Sequence, residues 1–134
     1  FEMHNTAIIL RALQLYSHNA HNLAKGKTFL QDHDFLGELY PAYEGEYDSL
    51  VERMIGLGEE PDLNDITKQA ADAATANEFK DNDGAFSVLL VTEKELCASI
   101  EKDMTDASNG TQNLLQTIAD NSEMRQYKLK RRLK

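Results

Sequence analysis

Proline and glycine are scarce in this 134-residue chain, with two and seven copies respectively. That leaves little material for the many tight turns of an all-β protein, whereas Ala, Leu, Glu, Lys and Gln, all good helix formers, are plentiful. An all-α protein is expected. Cysteine is rarer still, because Cys97 stands alone. No internal disulfide can form, and the neighbours Leu96, Ala98 and Ile100 mark this thiol as a small, inert core residue. No apolar run approaches the roughly 20 residues that span a bilayer, and the N-terminus lacks the basic-then-apolar pattern of a signal peptide. The expectation is a soluble cytoplasmic protein with no membrane partner. The length suits one domain over residues 1–134. The chain opens on Phe1 rather than Met, so a native N-terminal tail is expected to precede it.

What is present is acid: 23 acidic residues against 14 basic give a net charge of −9. Such a balance disfavours whole-surface attraction to nucleic acid and suits attraction of cations. The basic residues are unevenly placed, since Lys128, Lys130, Arg131, Arg132 and Lys134 cluster at the C-terminal end. Two readings stay open for that cluster: a helix end answering its own macrodipole, or a contact with phosphates.

Apolar residues recur in alternating steps of four and three at Ile9, Leu13, Tyr16, Ala20 and Leu23, one stripe of an α-helix ending near Lys25-Gly26. Thr28 and Gln31 have the spacing of a capping box and open a second helix. Its stripe runs Leu36, Tyr40, Tyr43, Tyr47, Leu50, Met54 and Leu57. Pro41 lacks a backbone donor and crowds the carbonyl of Gly37, so a kink is expected there. After the connection at Glu59-Glu60-Pro61-Asp62, a short Ala-rich helix is expected from Leu63 to about Ala76. Asp83 or Asn82 can cap a further long helix with the stripe Phe86, Leu90, Cys97, Ile100 and Met104, which Glu93 interrupts. Asn109-Gly110 breaks it, and a last helix carries Leu114, Leu115, Ile118 and Ala119 before turning basic. Two helical hairpins joined by a long connection with its own short helix make a four-helix bundle with one crossover, the ferritin-like arrangement.

Three of the four histidines, His18, His21 and His33, precede a carboxylate pair, Asp48 and Glu52, four residues apart on one helix face. Imidazole with carboxylate suits iron. His33 and Asp48 differ by only about 60° in rotation around their helix, yet stand roughly 22 Å apart along it. They cannot share a metal within one chain. If two copies of this helix pack antiparallel across a two-fold axis, His33 of one approaches Asp48 and Glu52 of the other, and an isologous dimer makes two such sites.

The order His21, His33, Asp48, Glu52 resembles the ferroxidase pattern of the Dps proteins, the ferritin-like miniferritins. His21-Asn22-Leu23-Ala24-Lys25-Gly26 is similar to the family's H-W-x-x-K-G run. Asp48-Ser49-Leu50-Val51-Glu52-Arg53-Met54-Ile55-Gly56-Leu57-Gly58 is similar to its D-x-x-A-E-R-x-x-x-L-G run. The resemblance is concentrated in residues 16–58 and extends more weakly through 96–133. It implies a hollow homo-oligomeric cage, a dodecamer built from two-fold dimers, that oxidises Fe(II) with hydrogen peroxide or dioxygen and stores the ferric product. The implied iron ligands are His21, His33, Asp48 and Glu52. Protection from oxidative stress follows, and DNA binding with a nucleoid location is the alternative. Three positions depart from the pattern. Gly37 stands where the family usually presents a further carboxylate ligand, leaving the second iron position open. Asn22 replaces a tryptophan beside the site, and Asn109 and Asn113 fall near where relatives line a three-fold pore with acids.

Other motifs carry less. There is no Glu-x-x-His pair for the intrachain di-iron site of larger ferritins. His18-x-x-His21 would need outside help to bind zinc, so His18 is left unassigned. Asp81-Asn82-Asp83-Gly84 has part of a calcium-loop pattern, but Phe79 and Leu90 occupy ligand positions, so a helix cap is the better reading.

Overall fold

A computed structural model describes residues 3–134, and within them the ordered elements are five helices. These are α1 (His4–Leu23), α2 (Phe29–Gly56), α3 (Leu63–Thr75), α4 (Asn82–Met104) and α5 (Asn109–Leu133). Helix α1 packs along α2, α3 and α4, and α4 packs along α5. The all-α bundle of two hairpins with a short crossover helix is the architecture expected from the apolar periodicity. No helix among the described residues is long and apolar enough to cross a membrane.

Local chemistry sets the helix ends. Asp62, Asp81 and Ser108 each adopt an extended backbone and accept a hydrogen bond from the N–H three residues on, at 3.0, 2.6 and 3.3 Å. Such a cap satisfies one of the four N–H groups that a helix start leaves unpaired. The cap of α4 is thus Asp81, not Asp83 or Asn82. Thr28 precedes α2 as expected but forms no capping box. Its ψ of 19° keeps it out of the extended conformation a cap needs, and its hydroxyl donates to Asp32 at 2.6 Å instead. At the far end of α2, Gly58 has φ +89°. That left-handed step lets Glu59 N–H reach Met54 O (3.1 Å) and Gly58 N–H reach Ile55 O (2.9 Å), a Schellman closure that favours glycine. Pro41 does not interrupt α2, which remains α-helical from Phe29 to Gly56.

The core face of α4 is rotated by about one residue from the stripe anticipated above. Phe86, Leu89, Glu93 and Leu96 are fully buried, while Leu90, Cys97 and Met104 are only half-buried. Glu93 is not an interruption but the centre of that face. Its carboxylate accepts from Tyr43 Oη (2.6 Å), Ser122 Oγ (2.7 Å) and Arg125 Nε (2.5 Å). Arg125 also forks onto Glu46 at 2.8 and 3.0 Å and lies 4.7 Å above the Tyr43 ring. Burial, together with the Glu93 charge, pushes the Tyr43 phenol well above its ordinary pKa. This cluster ties α2, α4 and α5 together in the bundle interior.

A second ionic node sits at the end holding the α1–α2 turn. Arg132 bonds buried Asp32 through Nε (3.0 Å) and Nη2 (2.9 Å), and reaches Asp83 at 2.9 Å. One member of the basic C-terminal cluster is therefore consumed inside the fold. Burial alone would raise the Asp32 pKa, but hydrogen bonds from Arg132, Thr28 and Asn82 outweigh it and hold the carboxyl below its usual range. A depressed folded-state pKa stabilises the protein above the unfolded value of roughly 3.9, and that contribution is lost as pH falls through the folded value. Arg132→Leu removes the cation and leaves burial less opposed, so the window moves up. Acid titration followed by circular dichroism is expected to show the variant unfolding at a higher pH than the parent; an unchanged midpoint would contradict the assignment.

Candidate metal centre

His21 lies in the last turn of α1 and His33 in the first turns of α2, so the short turn between the helices sets the two rings against each other. They stack with centroids 3.8 Å apart and planes 19° from parallel. Each ring is anchored by the other's backbone: His21 Nδ1 meets His33 O at 2.7 Å, and His33 Nδ1 meets His21 O at 2.8 Å. A carbonyl oxygen can only accept, so both Nδ1 atoms carry the proton in the neutral rings. Both Nε2 atoms are left as lone-pair donors, the form that binds a metal.

The His21 carbonyl is free for this role because of where α1 stops. Carbonyls in a final helical turn lack intrahelical partners. The N–H of Lys25, which would have served His21, instead donates to Asn82 Oδ1 at 3.1 Å. Asn82 Nδ2 in turn donates to Lys25 O (2.8 Å) and Asp32 (2.9 Å). The start of α4 thereby holds the α1–α2 turn in the shape that frees the carbonyl.

Gly37 faces the His21 ring. A Cβ at this position would lie 3.0 Å from His21 Cε1 and 3.2 Å from Nδ1, tighter than ordinary van der Waals contact. The absence of a side chain at this position and the tight seating of His21 go together. A side chain at 37 would require the imidazole to give way by a few tenths of an ångström. Asp34 and Glu38 are exposed on either side of Gly37.

Asp48 and Glu52 are exposed, one turn apart, in the second half of α2. Because α2 is unbroken, they remain roughly 22 Å or more along the axis from His33. Among the described residues, no group of three or more His, Cys, Asp or Glu side chains gathers into a metal-holding cluster within the chain. The fold brings His21 and His33 together and keeps Asp48 and Glu52 apart from them.

Aromatic rings extend the imidazole pair in both directions. Phe29 stacks on His33 at 4.9 Å, Tyr40 lies against His21 at 5.4 Å, and His18 stacks on Tyr40 at 3.9 Å with planes 1° apart. His18, unassigned from its sequence position, is thus a ring support for Tyr40. Sequence reasoning missed Ser122 and Arg125 in the bundle interior. The spacing Ile118, Ser122, Arg125, Leu129 places both on the buried stripe of α5, and a glutamate in the stripe of α4 was the signal that a cation must meet it.

The ferritin profile, described as a ferritin-like domain, matches residues 6–134. The chain belongs to this ferritin-like family. Its fold is that of a Dps protein: the structure of Dps from Microbacterium arborescens in the high iron form superposes with a TM-score of 0.86. The match covers 98% of this chain and 90% of that one at 15% sequence identity. No curated protein sequence matches the chain.

Glycine substitutions separate the seating of His21 from ordinary helix propensity. Gly45 lies in the same helix with nothing within 4 Å of a built Cβ, so Gly45→Ala is expected to stabilise the protein by about 0.5–1 kcal/mol. Gly37→Ala should forfeit that gain and shift the His21 ring resonances in NMR spectra. Equal stabilisation by both substitutions, with unmoved His21 signals, would refute the packing argument.

Proposed function

We propose that this chain is a Dps-type miniferritin subunit that binds and oxidises Fe(II) at sites shared between two copies, with His21 and His33 from one and Asp48 and Glu52 from the other. The observation that carries the reading is a symmetry along α2. His33 and Glu52, Gly37 and Asp48, and the exposed apolar pair Leu30 (73% exposed) and Ile55 (53% exposed) are all centred on one point between Ala42 and Tyr43. A second α2 laid antiparallel about a two-fold axis at that level opposes all three pairs at once. Exposed Pro41 lies beside the midpoint, and its small profile permits close approach of the two helices. The apolar pair would be covered at each end, which favours association.

Chemically, the imidazole Nε2 atoms supply neutral donors for Fe(II), and the carboxylates supply hard oxygens that favour Fe(III). The lock on both Nδ1 atoms fixes ring orientation before metal arrives, so little ordering is left for binding. With Gly37 in place of a carboxylate, the chain offers one well-furnished iron position, and the iron there is weakly held and exchangeable. Exchange suits a site whose ferric product must move on to a mineral store in a homo-oligomeric cage, a dodecamer in this reading. Hydrogen peroxide is the proposed oxidant, and the proposed compartment is the cytoplasm.

Complementation tests the shared site. One variant carries His21→Ala with His33→Ala, the other Asp48→Ala with Glu52→Ala, and each alone should lose ferrous oxidation followed by ferric absorbance. When equal amounts are co-assembled, half the dimers are mixed and each holds one intact site, so roughly a quarter of the parent activity should return. A mixture no more active than its components would sink the intersubunit assignment.

A second reading, contact with DNA, is favoured by the outer face of α5. Glu123, Tyr127, Lys130, Arg131 and Lys134 line a hollow of about 300 Å³ there, three cations against one carboxylate, and Tyr127 is exposed. Gel shifts of duplex DNA should weaken steeply with added salt and disappear when these three basic residues become Gln. No retardation even at low salt would remove this reading.

A further inference from the structure

From the hollow between α1, α3 and α4 we infer a binding site for a small neutral molecule, with an apolar body and one carbonyl that accepts a hydrogen bond from Tyr16. No residue of α2 lines this hollow, and neither does His21, so the site stands apart from the proposed iron centre and does not rest on that reading. Composition explains the space. Helix α3 packs along α1, but Ala73 and Ala74 are too short to fill the gap towards α4. A cavity of about 480 Å³ remains, lined by Ile8, Ala12 and Tyr16 of α1 and by Val88 and Val91 of α4.

Apolar walls of this kind favour an apolar occupant, and the volume lies in the range of roughly 300–1,000 Å³ that small-molecule sites occupy. Val91, 57% exposed, adds an apolar lip. Thr92 also lines the cavity, but its hydroxyl is spent on Val88 O at 2.8 Å. Tyr16 is the exception among the buried lining residues. It is only 7% exposed, yet its hydroxyl has no hydrogen-bond partner among the described residues. Buried polar groups are nearly always paired, so an unpaired phenol on the wall of a cavity marks the point where a ligand's polar atom belongs. Burial raises the Tyr16 pKa, so the hydroxyl keeps its proton at neutral pH and can donate it to a hydrogen bond.

Charge narrows the ligand further. Tyr16 also lines an adjoining hollow at the C-terminal end of α3, with Asn19, Asn22 and Asn77. Neither hollow is lined by Lys, Arg or His, whereas Glu95 borders the first and Glu78 the second. An anion would meet two carboxylates and no cation, on a chain whose net charge is already −9. An ammonium group is a donor only and cannot accept the Tyr16 proton. A neutral carbonyl satisfies both conditions: it accepts from the phenol and carries no charge into the apolar walls.

The test titrates the full chain into prodan, a neutral naphthyl ketone whose emission reports both the polarity around it and hydrogen bonding to its carbonyl. The parent should bind it saturably, with emission moved to shorter wavelength than in water. Tyr16→Phe keeps the ring and removes the donor, so binding should weaken by about three- to tenfold and the emission of the bound probe should move further to the blue. Ala73 is exposed, so Ala73→Trp can fill the cavity without disturbing the core, and it should abolish binding. Anilinonaphthalene sulfonate, of similar size but anionic, should bind more weakly than prodan. No saturable binding by the parent would overturn the inference, as would Tyr16→Phe matching the parent in affinity and emission, undiminished binding by Ala73→Trp, or a preference for the sulfonate. Circular dichroism of both variants should match the parent, which separates a blocked or donorless cavity from a misfolded chain.

Discussion

A fully buried glutamate is tolerable in a helical bundle only if its charge is met, and the pairing of Glu93 with Arg125 is the constraint around which this fold is arranged. Stripping water from either ion costs several kcal/mol, and breaking such a pair by removing one partner costs roughly 3–5 kcal/mol. Arg125 must therefore enter the bundle at the level of Glu93, which fixes α5 against α4. Its fork onto Glu46 then fixes α2 against both. With α2 positioned, the α1–α2 turn is closed at the other end by Arg132 and Asp32. The two ionic nodes hold the frame in which the histidines meet.

That frame gives α2 a double duty. Its first turns complete the imidazole pair and its later turns carry the carboxylate pair, so one helix sets the separation between the two halves of the proposed site. A rod of this length cannot fold back to join them. In the proposed dimer, the same rigidity that frustrates a site within the chain supplies the registration between chains. Gly37 belongs to this logic as well, since the room it leaves is filled by the ring of His21.

The helical frame was legible in the sequence because apolar periodicity reports burial directly: Leu13, Leu36, Leu50 and Phe86 all lie in the interior. Helix starts were less legible. Thr28 and Gln31 have capping-box spacing, but a cap depends on backbone angles that spacing does not encode, and Asp32 competes for the Thr28 hydroxyl. The face of α4 was misread by about one residue because Glu93 looked like a break in an apolar stripe; its buried partner lies 32 positions later on another helix. The histidine and carboxylate positions stood out by their order, whereas the lock between His21 and His33 did not. It runs through backbone carbonyls, and no residue type announces it.

This last point bears on how the protein tolerates genetic change. Orientation of an imidazole by a neighbouring carboxylate would depend on a codon that can drift, whereas here each ring is oriented by the main chain of the other. Substitutions around the pair can accumulate without altering which nitrogen is left unprotonated, so long as the turn keeps its shape. An inheritance of that kind is robust to divergence, as befits a chain that keeps the Dps fold with most of its residues exchanged.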